Sequence, residues 1–181
     1  MSELKSDKLS PRTASGTVTL GTSGDTFSIP SGVTFANSGT ATGFGSDSTP
    51  SFAAYNNATQ SISSGTWTKL LYNTEYWDTD SAFASDRFTV PSGEAGKYMI
   101  WAQSYLTTAT YGDIKLYIYK NGSATNYRYV MIQAGGSSTE VSALIDLSVS
   151  DYLEVYLYGH GGAVVTAANE SQFAGFKLVG V

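Results

Sequence analysis

The chain has 181 residues, no cysteine, and 15 acidic against 10 basic side chains, which give a formal charge of −5. This length suits one ordinary domain with an appendage. Without cysteine the chain has no disulfide framework, no thiolate metal site and no thiol nucleophile. The acidic balance, with no cluster of Lys and Arg, argues against a nucleic-acid partner.

The first ten residues carry charges where a secretory signal would need an apolar stretch of ~7–15 residues. No apolar run in the sequence approaches the ~20 residues that a membrane helix needs. We therefore expect a protein that is made in a cytoplasm and does not insert into a membrane.

The first fifty residues differ from the rest, because all three tryptophans and all 13 tyrosines come later. Residues 17–50 form the β-rich part of this segment. Their apolar residues alternate in short stretches separated by turn signals at 21–25 and 30–32. These stretches are Val18 with Leu20, Phe27 with Ile29, and Val33 with Phe35. They predict strands of two or three residues, too few for a separate core, so we expect support from oligomerisation. The alternative is a disordered Ser/Thr/Gly linker, and residues 37–50 have that composition.

Residues 51–181 consist of successive strand-like segments with no helical pattern. Strong strand candidates are 97–106, 113–120, 127–133, 140–147, 152–158 and 172–179, and weaker ones are 51–55, 66–71 and 87–90. The dipeptide Asn121-Gly122 predicts a turn between two of them. Eight or nine evenly spaced strands without a helix predict an all-β fold, an antiparallel two-sheet sandwich or jelly roll.

One of these strands carries bulky side chains on both faces. The strand from Lys97 places Tyr98, Ile100 and Leu106 on one face and Met99, Trp101 and Tyr105 on the other. In the last strand Phe173 opposes Phe176. An isolated sandwich covers only one face of each sheet, so the second apolar face predicts contact with another copy of the chain.

Four segments of residues 51–181 form a recognisable set: Ser51–Ala54, Arg87–Pro91 followed by Gly96–Tyr98, Leu147–Val155 and Ser171–Leu178. Together they resemble the globular head of complement component C1q and its tumour-necrosis-factor-like relatives. The resemblance implies a ten-strand jelly roll that forms a tight homotrimer. It places the strands that start at Gly96, Glu140 and Gln172 in the inner sheet, around the threefold axis.

A trimer of this kind would cover the second apolar face. The interface residues that we expect on this basis are Met99, Trp101, Tyr105, Leu144, Phe173 and Phe176.

The N-terminal sequence resembles a different group. Lys8–Thr13 followed by Leu20–Thr34 is similar to the N-terminal part of tail-fibre and other fibrous virion proteins of marine bacteriophages. This resemblance implies a virion-attachment segment at 1–16 and, within 17–50, three chains wound into a triangular β-prism stalk. The docking residues that we expect are Leu9, Pro11 and Arg12.

Candidate catalytic and metal-binding residues are few. The only histidine, His160, lies in Gly159-His-Gly-Gly162, but the Gly-x-Ser-x-Gly partner motif of the lipases is absent, so we interpret it as part of a turn. Four acidic residues, Glu75, Asp78, Asp80 and Asp86, could ligate Ca²⁺ or act as a glycosidase pair. Ala82 and Ala84 stand where a calcium loop would need ligands, so the default is a solvated acidic loop with calcium as the alternative. We expect no enzyme activity and no required cofactor.

A recognition surface follows from strand topology. If both ends of the 51–181 knob lie at the stalk end, the loops near 108–113, 134–138 and 159–169 gather at the far tip, where small polar residues and Tyr suit contact with sugars. The alternative is that these loops are merely short turns. The receptor-binding residues that we expect are Tyr111, Asp113, Ser137, Ser138, His160 and Asn169.

The sequence thus predicts a non-enzymatic homotrimeric bacteriophage virion fibre whose knob binds a glycan or protein receptor on the host surface. Other virion proteins would bind its N-terminus, and it would be made in the bacterial cytoplasm and located in the virion. The main alternative is a capsid decoration or head-fibre protein with a structural or weakly adhesive role. A polysaccharide depolymerase would need a longer chain and a carboxylate-lined groove.

Overall fold

The computed structural model describes residues 9–12, 15–34, 36, 38, 48–108, 112–133, 137–160, 164–166 and 168–178. The chain divides into two compact units, Met1–Thr42 and Gly43–Val181. Over the described ranges there is no helix long and apolar enough to cross a membrane.

The second unit is built from strands, all of which pair in antiparallel fashion. In chain order they are β1 Ser51–Tyr55, β2 Gln60–Ile62, β3 Trp67–Lys69, β4 Thr74–Asp78, β5 Phe88–Thr89, β6 Gly96–Thr108, β7 Gly112–Lys120, β8 Ser123–Gln133, β9 Ser137–Leu147, β10 Tyr152–Gly159, β11 Val164–Thr166 and β12 Gln172–Lys177.

The strands form two sheets. Sheet I has the order β2-β11-β6-β12-β1-β4, and β9 pairs with β6 as well. Sheet II has the order β3-β10-β7-β8, and β5 pairs with β10. Apart from the hairpin of β7 and β8, neighbouring strands are not consecutive in sequence, as β1 and β12 show, so the chain crosses repeatedly between the sheets. This is the antiparallel jelly-roll sandwich predicted from the sequence.

The core lies between the sheets and follows the period-two alternation of the long strands. From sheet I it receives the fully buried Tyr98, Ile100 and Leu106 of β6, and from sheet II Ile114, Leu116 and Ile118 of β7. Phe52 stands at its centre, with ring centroids 4.7 Å from Phe88, 4.9 Å from Phe173 and 5.1 Å from Phe83. The predicted two faces of the Lys97 strand are confirmed, because alternate residues of β6 are buried.

The predicted strands and the predicted sheet agree with the structure. All nine strand candidates overlap an observed strand, and β6, β9 and β12, which the C1q resemblance places in one sheet, are neighbours in sheet I. The sequence interpretation missed β2, β4 and β11, which are short or edge strands. The Asn121-Gly122 turn lies between β7 and β8, with both residues at positive φ.

The first unit has its turns at the predicted places. The Asp25 amide donates to the Thr22 carbonyl at 3.0 Å, and the Val33 amide donates to the Pro30 carbonyl at 3.2 Å. The short strands predicted there are absent from residues 15–34 of a single chain, while Phe35 lies outside the described residues. A strand needs a neighbouring backbone to receive its hydrogen bonds, and one chain does not supply it here.

Candidate functional site

The two ends of the sandwich differ in what they carry. At one end the chain enters and leaves the knob, since Ser51 pairs with Phe176 and the Lys177 amide donates to the Pro50 carbonyl at 3.1 Å. At the other end β6 finishes opposite the start of β9, where Leu106 pairs with Ser137. The described residues that flank the expected receptor-binding loops therefore lie at the end distant from both termini of the knob.

Two of the expected receptor-binding residues are adjacent at this distal end. The His160 amide donates to the Asp113 carbonyl at 2.9 Å, which joins the end of β10 to the start of β7. The His160 side chain is exposed, and the Asp113 carboxylate lies 3.7 Å from the Lys115 ammonium. Tyr111 lies outside the described residues.

The other expected residues lie on the sheet I side of the distal end. Ser137 and Ser138 begin β9, where the exposed Ser138 pairs with Tyr105. Asn169 is exposed in the loop before β12, and its amide donates to the Asn56 carbonyl at 2.7 Å.

Asn56, which the sequence interpretation missed, fixes the position of this loop. It is 4% exposed, and its side-chain oxygen accepts a hydrogen bond from the Ser171 amide at 3.0 Å. The Ser171 hydroxyl in turn lies 3.2 Å from the hydroxyl of the buried Ser104. A buried amide satisfied in this way ties β1 to β12 and presents Asn169 on a rigid base.

The outward face of sheet I, called here the sheet I surface, is apolar along its central rows, which lie between more polar rows. Met99 pairs with Phe176 on one side and with Leu144 on the other, so three apolar side chains form a row across β12, β6 and β9. Leu144 is 62% exposed and Phe176 41% exposed. A groove of about 360 Å³ opens beside Leu144, bounded by Lys97 and Tyr127 among other residues.

A second row of paired residues crosses the sheet I surface two residues away along β6 and β12. Trp77 pairs with Ala53, Ala53 with Ala174, and Ala174 with Trp101, so two indoles flank two small residues. Trp77 is 55% exposed. Tyr76 is equally open and stacks on Tyr55, with ring centroids 4.6 Å apart.

The sequence interpretation missed Tyr55, Tyr76 and Trp77 as parts of this surface, because it assigned residues 72–80 to an acidic loop. The aromatic pair within Thr74–Asp78 is the signal that could have identified an edge strand.

Phe173 corrects the predicted interface. Its side chain is fully buried in the core of its own chain, with its ring 4.9 Å from Phe52 and 5.5 Å from Tyr72. It pairs with Ala102, whose side chain also faces inward, so its place at a surface between chains is wrong. Of the six expected interface residues, the other five lie on the outward face of sheet I.

The four acidic residues do not assemble a calcium site in the described part of the chain. Both oxygens of Asp78 accept hydrogen bonds from loop amides, Ala82 at 3.0 Å and Phe83 at 2.8 Å. Asp80 accepts the Thr79 hydroxyl at 2.6 Å.

Glu75 and Asp86 line a polar pocket of about 200 Å³, but no third acidic or histidine side chain among the described residues joins them. Burial raises the pKa of Asp86, against the opposing charge of Lys69. A hard cation needs several oxygen ligands at once, which this pair does not provide.

No protein-family model and no curated protein matches the chain. The solved structures that resemble it include the globular domain of zebrafish complement 1qA protein (16% identity, TM-score 0.54), murine APRIL (13%, 0.54) and the PRD1 vertex protein P5 (17%, 0.56). Each similarity covers 71% of this chain and, in the same order, 97%, 98% and 94% of the other. The knob therefore has the C1q- and tumour-necrosis-factor-like jelly-roll fold.

Proposed function

We propose that the chain is a non-enzymatic homotrimeric virion protein whose knob binds the host cell surface through its distal loops. The observation that carries the proposal is the sheet I surface, where Leu144, Phe176 and Trp77 are 41–62% exposed in one chain. A soluble monomer rarely leaves so continuous an apolar face open to water. A second copy packed on this face would bury it, and cyclic symmetry would repeat the contact.

The likeness to a vertex protein of PRD1 supports a place on a virus particle. The exposed Leu9 and Arg12, with Pro11 between them, would then dock onto another virion protein at the base of a stalk. The described residues that flank the distal loops lie at the end of the knob opposite its termini, a position that suits a receptor-binding surface. Synthesis in the bacterial cytoplasm is part of the same proposal.

The same likeness favours a second candidate, a capsid-surface protein with a structural or weakly adhesive role. The two candidates differ in stoichiometry, since a decoration protein follows the capsid lattice and a tail fibre follows the symmetry of the tail. Quantitative mass spectrometry of purified particles would give the copy number relative to the major capsid protein and distinguish the two.

The trimer is tested by the solution mass of the full chain, measured by light scattering. We expect the mass of three chains for the natural sequence and of one chain for Leu144→Asp, because a carboxylate buried in an apolar contact is costly. The matched control is Val149→Asp, since Val149 is 44% exposed in the turn after β9, away from the sheet I surface. A monomeric natural chain would overturn the architecture.

Adhesion is tested separately, by binding of the labelled trimer to host cells. We expect His160→Ala and Asn169→Ala to reduce bound trimer without changing its mass, because both side chains are exposed at the distal end. A trimer that binds no cells of the host, or whose binding neither substitution alters, would remove the assignment of the distal loops.

A further inference from the structure

The outward face of sheet II carries a row of aromatic side chains on the side of the knob. Trp67 of β3 pairs with Tyr158 of β10, and Tyr156 of β10 pairs with Tyr117 of β7. Directly paired residues share one face of a sheet, so these four rings project on the same side, and Tyr119 lies two residues beyond Tyr117. We call this set the sheet II platform.

The rings of the platform hold one another in position. The Trp67 ring centroid lies 4.5 Å from that of Tyr117 and 5.2 Å from that of Tyr158, so the indole reaches across β10. Tyr119 and Tyr156 lie closer still, with centroids 4.1 Å apart. Trp67 nevertheless remains 36% exposed. A large ring that is both exposed and immobilised loses little conformational freedom when a ligand covers it.

Cations lie among these rings. The Lys115 ammonium is 5.1 Å from the centroid of Tyr158, and the Arg128 guanidinium is 5.8 Å from that of Tyr117. Lys115 also lies 3.7 Å from the Asp113 carboxylate. Over the described part of the chain, Arg128 has no carboxylate within ion-pair distance. The platform thus offers an uncompensated guanidinium on a protein whose net charge is −5.

The chemistry of the platform differs from that of the sheet I surface. Its rings carry phenol hydroxyls and alternate with charges, including the pair of Lys69 with Glu154 at 2.8 Å. Charged Lys, Glu and Asp side chains are depleted at the centres of protein interfaces, and here two ion pairs lie among the rings, an arrangement that suits a polar ligand better than a second copy of the chain. A sugar does suit it, because the C–H groups on one side of a pyranose ring stack on an aromatic face while the hydroxyls meet polar groups.

The span of the platform fits a chain of sugars rather than a single one. From β3 to β8 it crosses four neighbouring strands, which at about 4.8 Å between strands is roughly 14 Å. Trp67 stands at one end of this span and Arg128 at the other. A guanidinium binds a carboxylate in bidentate fashion, which favours an acidic residue in the bound saccharide.

We propose that the sheet II platform binds an acidic oligosaccharide, with Trp67 stacked on a sugar ring and Arg128 paired with a carboxylate of the ligand. The site goes beyond the proposed function, because it lies on the side of the knob and does not depend on attachment to a virion or on the distal loops.

The test measures binding of oligosaccharides to the full chain by calorimetry and by tryptophan emission. The probes are oligomers of mannuronate and guluronate, hyaluronan oligosaccharides and sialylated lactose, with maltohexaose as the neutral control. We expect saturable binding of at least one acidic probe and an emission change that Trp67→Phe removes while retaining measurable binding. Trp67→Ala should weaken binding about tenfold or more through loss of the stacking surface.

Arg128→Gln tests the charge. It should weaken binding of the acidic probe and flatten the dependence of affinity on salt, since one charge-assisted contact is lost. The matched control is Lys177→Gln, which removes a cation at the end of the knob where its termini lie and should leave affinity unchanged. Solution mass and circular dichroism of each variant show that it is folded and assembled like the natural chain.

Three results would overturn the proposal: no acidic probe bound more tightly than a Kd of about 1 mM, affinity unchanged by Trp67→Ala, or equal affinity for maltohexaose. Loss of probe binding in His160→Ala but not in Trp67→Ala would place the sugar at the distal loops and would also overturn it.

If Trp67→Ala abolishes probe binding while host-cell adhesion persists, the platform is supported. If adhesion fails in every form while the probe still binds through Trp67, the proposed function falls and the platform stands.

Discussion

Gly175 shows how a single missing side chain shapes the core beneath the sheet I surface. A Cβ atom at this position would lie 2.5 Å from Cδ1 of Ile100, 3.0 Å from Cε1 of Phe52 and 3.1 Å from the Met99 carbonyl oxygen. Two of these atoms belong to fully buried side chains and the third to the backbone of β6, so none can move freely. The glycine therefore allows β12 to lie against β6 while the core ring of Phe52 fills the space below.

We expect Gly175→Ala to lower the free energy of unfolding by about 1–3 kcal/mol, because the added methyl group overpacks the core. Thermal and urea unfolding, followed by circular dichroism at one fixed protein concentration, would measure the change. Ala95→Ser is the control, since Ala95 is exposed before β6. Equal stability of Gly175→Ala and the natural chain would mean that Ile100 and Phe52 are not packed as the structure has them.

At the scale of the elements, Asp151 joins the two turns at the termini end of sheet II. Its carboxylate accepts hydrogen bonds from the Asn121 side chain at 2.7 Å and from the Ser148 amide at 2.8 Å, and forms an ion pair with Lys120 at 2.7 Å. The Asn121 side chain in turn accepts from the Tyr152 amide at 2.9 Å. The turn between β7 and β8 and the turn between β9 and β10 are thus held by one carboxylate.

These contacts determine how stability depends on pH. Burial acts to raise the pKa of Asp151, but the hydrogen bonds from Lys120, Asn121 and Ser148 together with the charge of Lys120 lower it to about 2. An unfolded aspartate has a pKa of about 3.9, so the ionised form is favoured by folding. The stabilisation is complete above about pH 4 and is lost as the pH falls toward 2.

We expect Asp151→Asn to cost about 1–3 kcal/mol of unfolding free energy at pH 7, through the loss of charged hydrogen bonds. The difference from the natural chain should shrink between pH 4 and pH 2, where the natural carboxylate also loses its charge. Urea unfolding at several pH values would show this, with the exposed Glu170→Gln as the control. A difference that stays constant with pH would show that the charge of Asp151 is not what joins the turns.

A strand could be predicted from the sequence where its own apolar and polar residues alternate. It could not be predicted where the strand forms only because it pairs with a distant segment. Inward- and outward-facing residues alternate along β6, so its two faces can be predicted from the sequence. Thr74–Asp78 is exposed or half-buried throughout and forms a strand because it pairs with β1 across an irregularity between Ala53 and Ala54. The opposite faces of Phe173 and Phe176 follow from their spacing, but which of the two points inward depends on the register of β12 against β6.

The candidate sites show the same division. The distal position of Asp113 and His160 follows from the up-and-down order of the strands, and could be predicted. The sheet II platform could not, because Trp67 and Tyr158 are brought together by the pairing of β3 with β10, which lie far apart in sequence. A single tyrosine in the sequence indicates only a position where a ring can face solvent. The platform depends on the register of the strands that bring several rings together.

At the scale of the whole molecule, the two outward faces of the sandwich differ in a way that suits assembly. The central rows of the sheet I surface combine aliphatic and indole side chains with alanines, a composition that resembles a divided core. The sheet II platform combines rings with charges. If the sheet I surfaces of three copies meet around an axis, the platforms face outward on all three sides. A trimer would then present three copies of each recognition surface, and binding to a repetitive ligand would gain from multivalency.

The N-terminal unit allows the assembly to be tested along its length. In one chain, Val18, Leu20, Phe27, Ile29 and Val33 are 40–65% exposed. Among the described residues 15–34, only the amides of Thr22, Asp25 and Val33 donate a hydrogen bond.

If three chains wind together there, the remaining amides gain partners from neighbouring chains, and hydrogen exchange measured by mass spectrometry should be slow across 15–34 in the full-length trimer. In Leu144→Asp, which we expect to be monomeric, the same peptides should exchange at the rate of an unstructured chain. Fast exchange of 15–34 in a confirmed trimer would mean that the knob alone assembles and that these residues act as a linker.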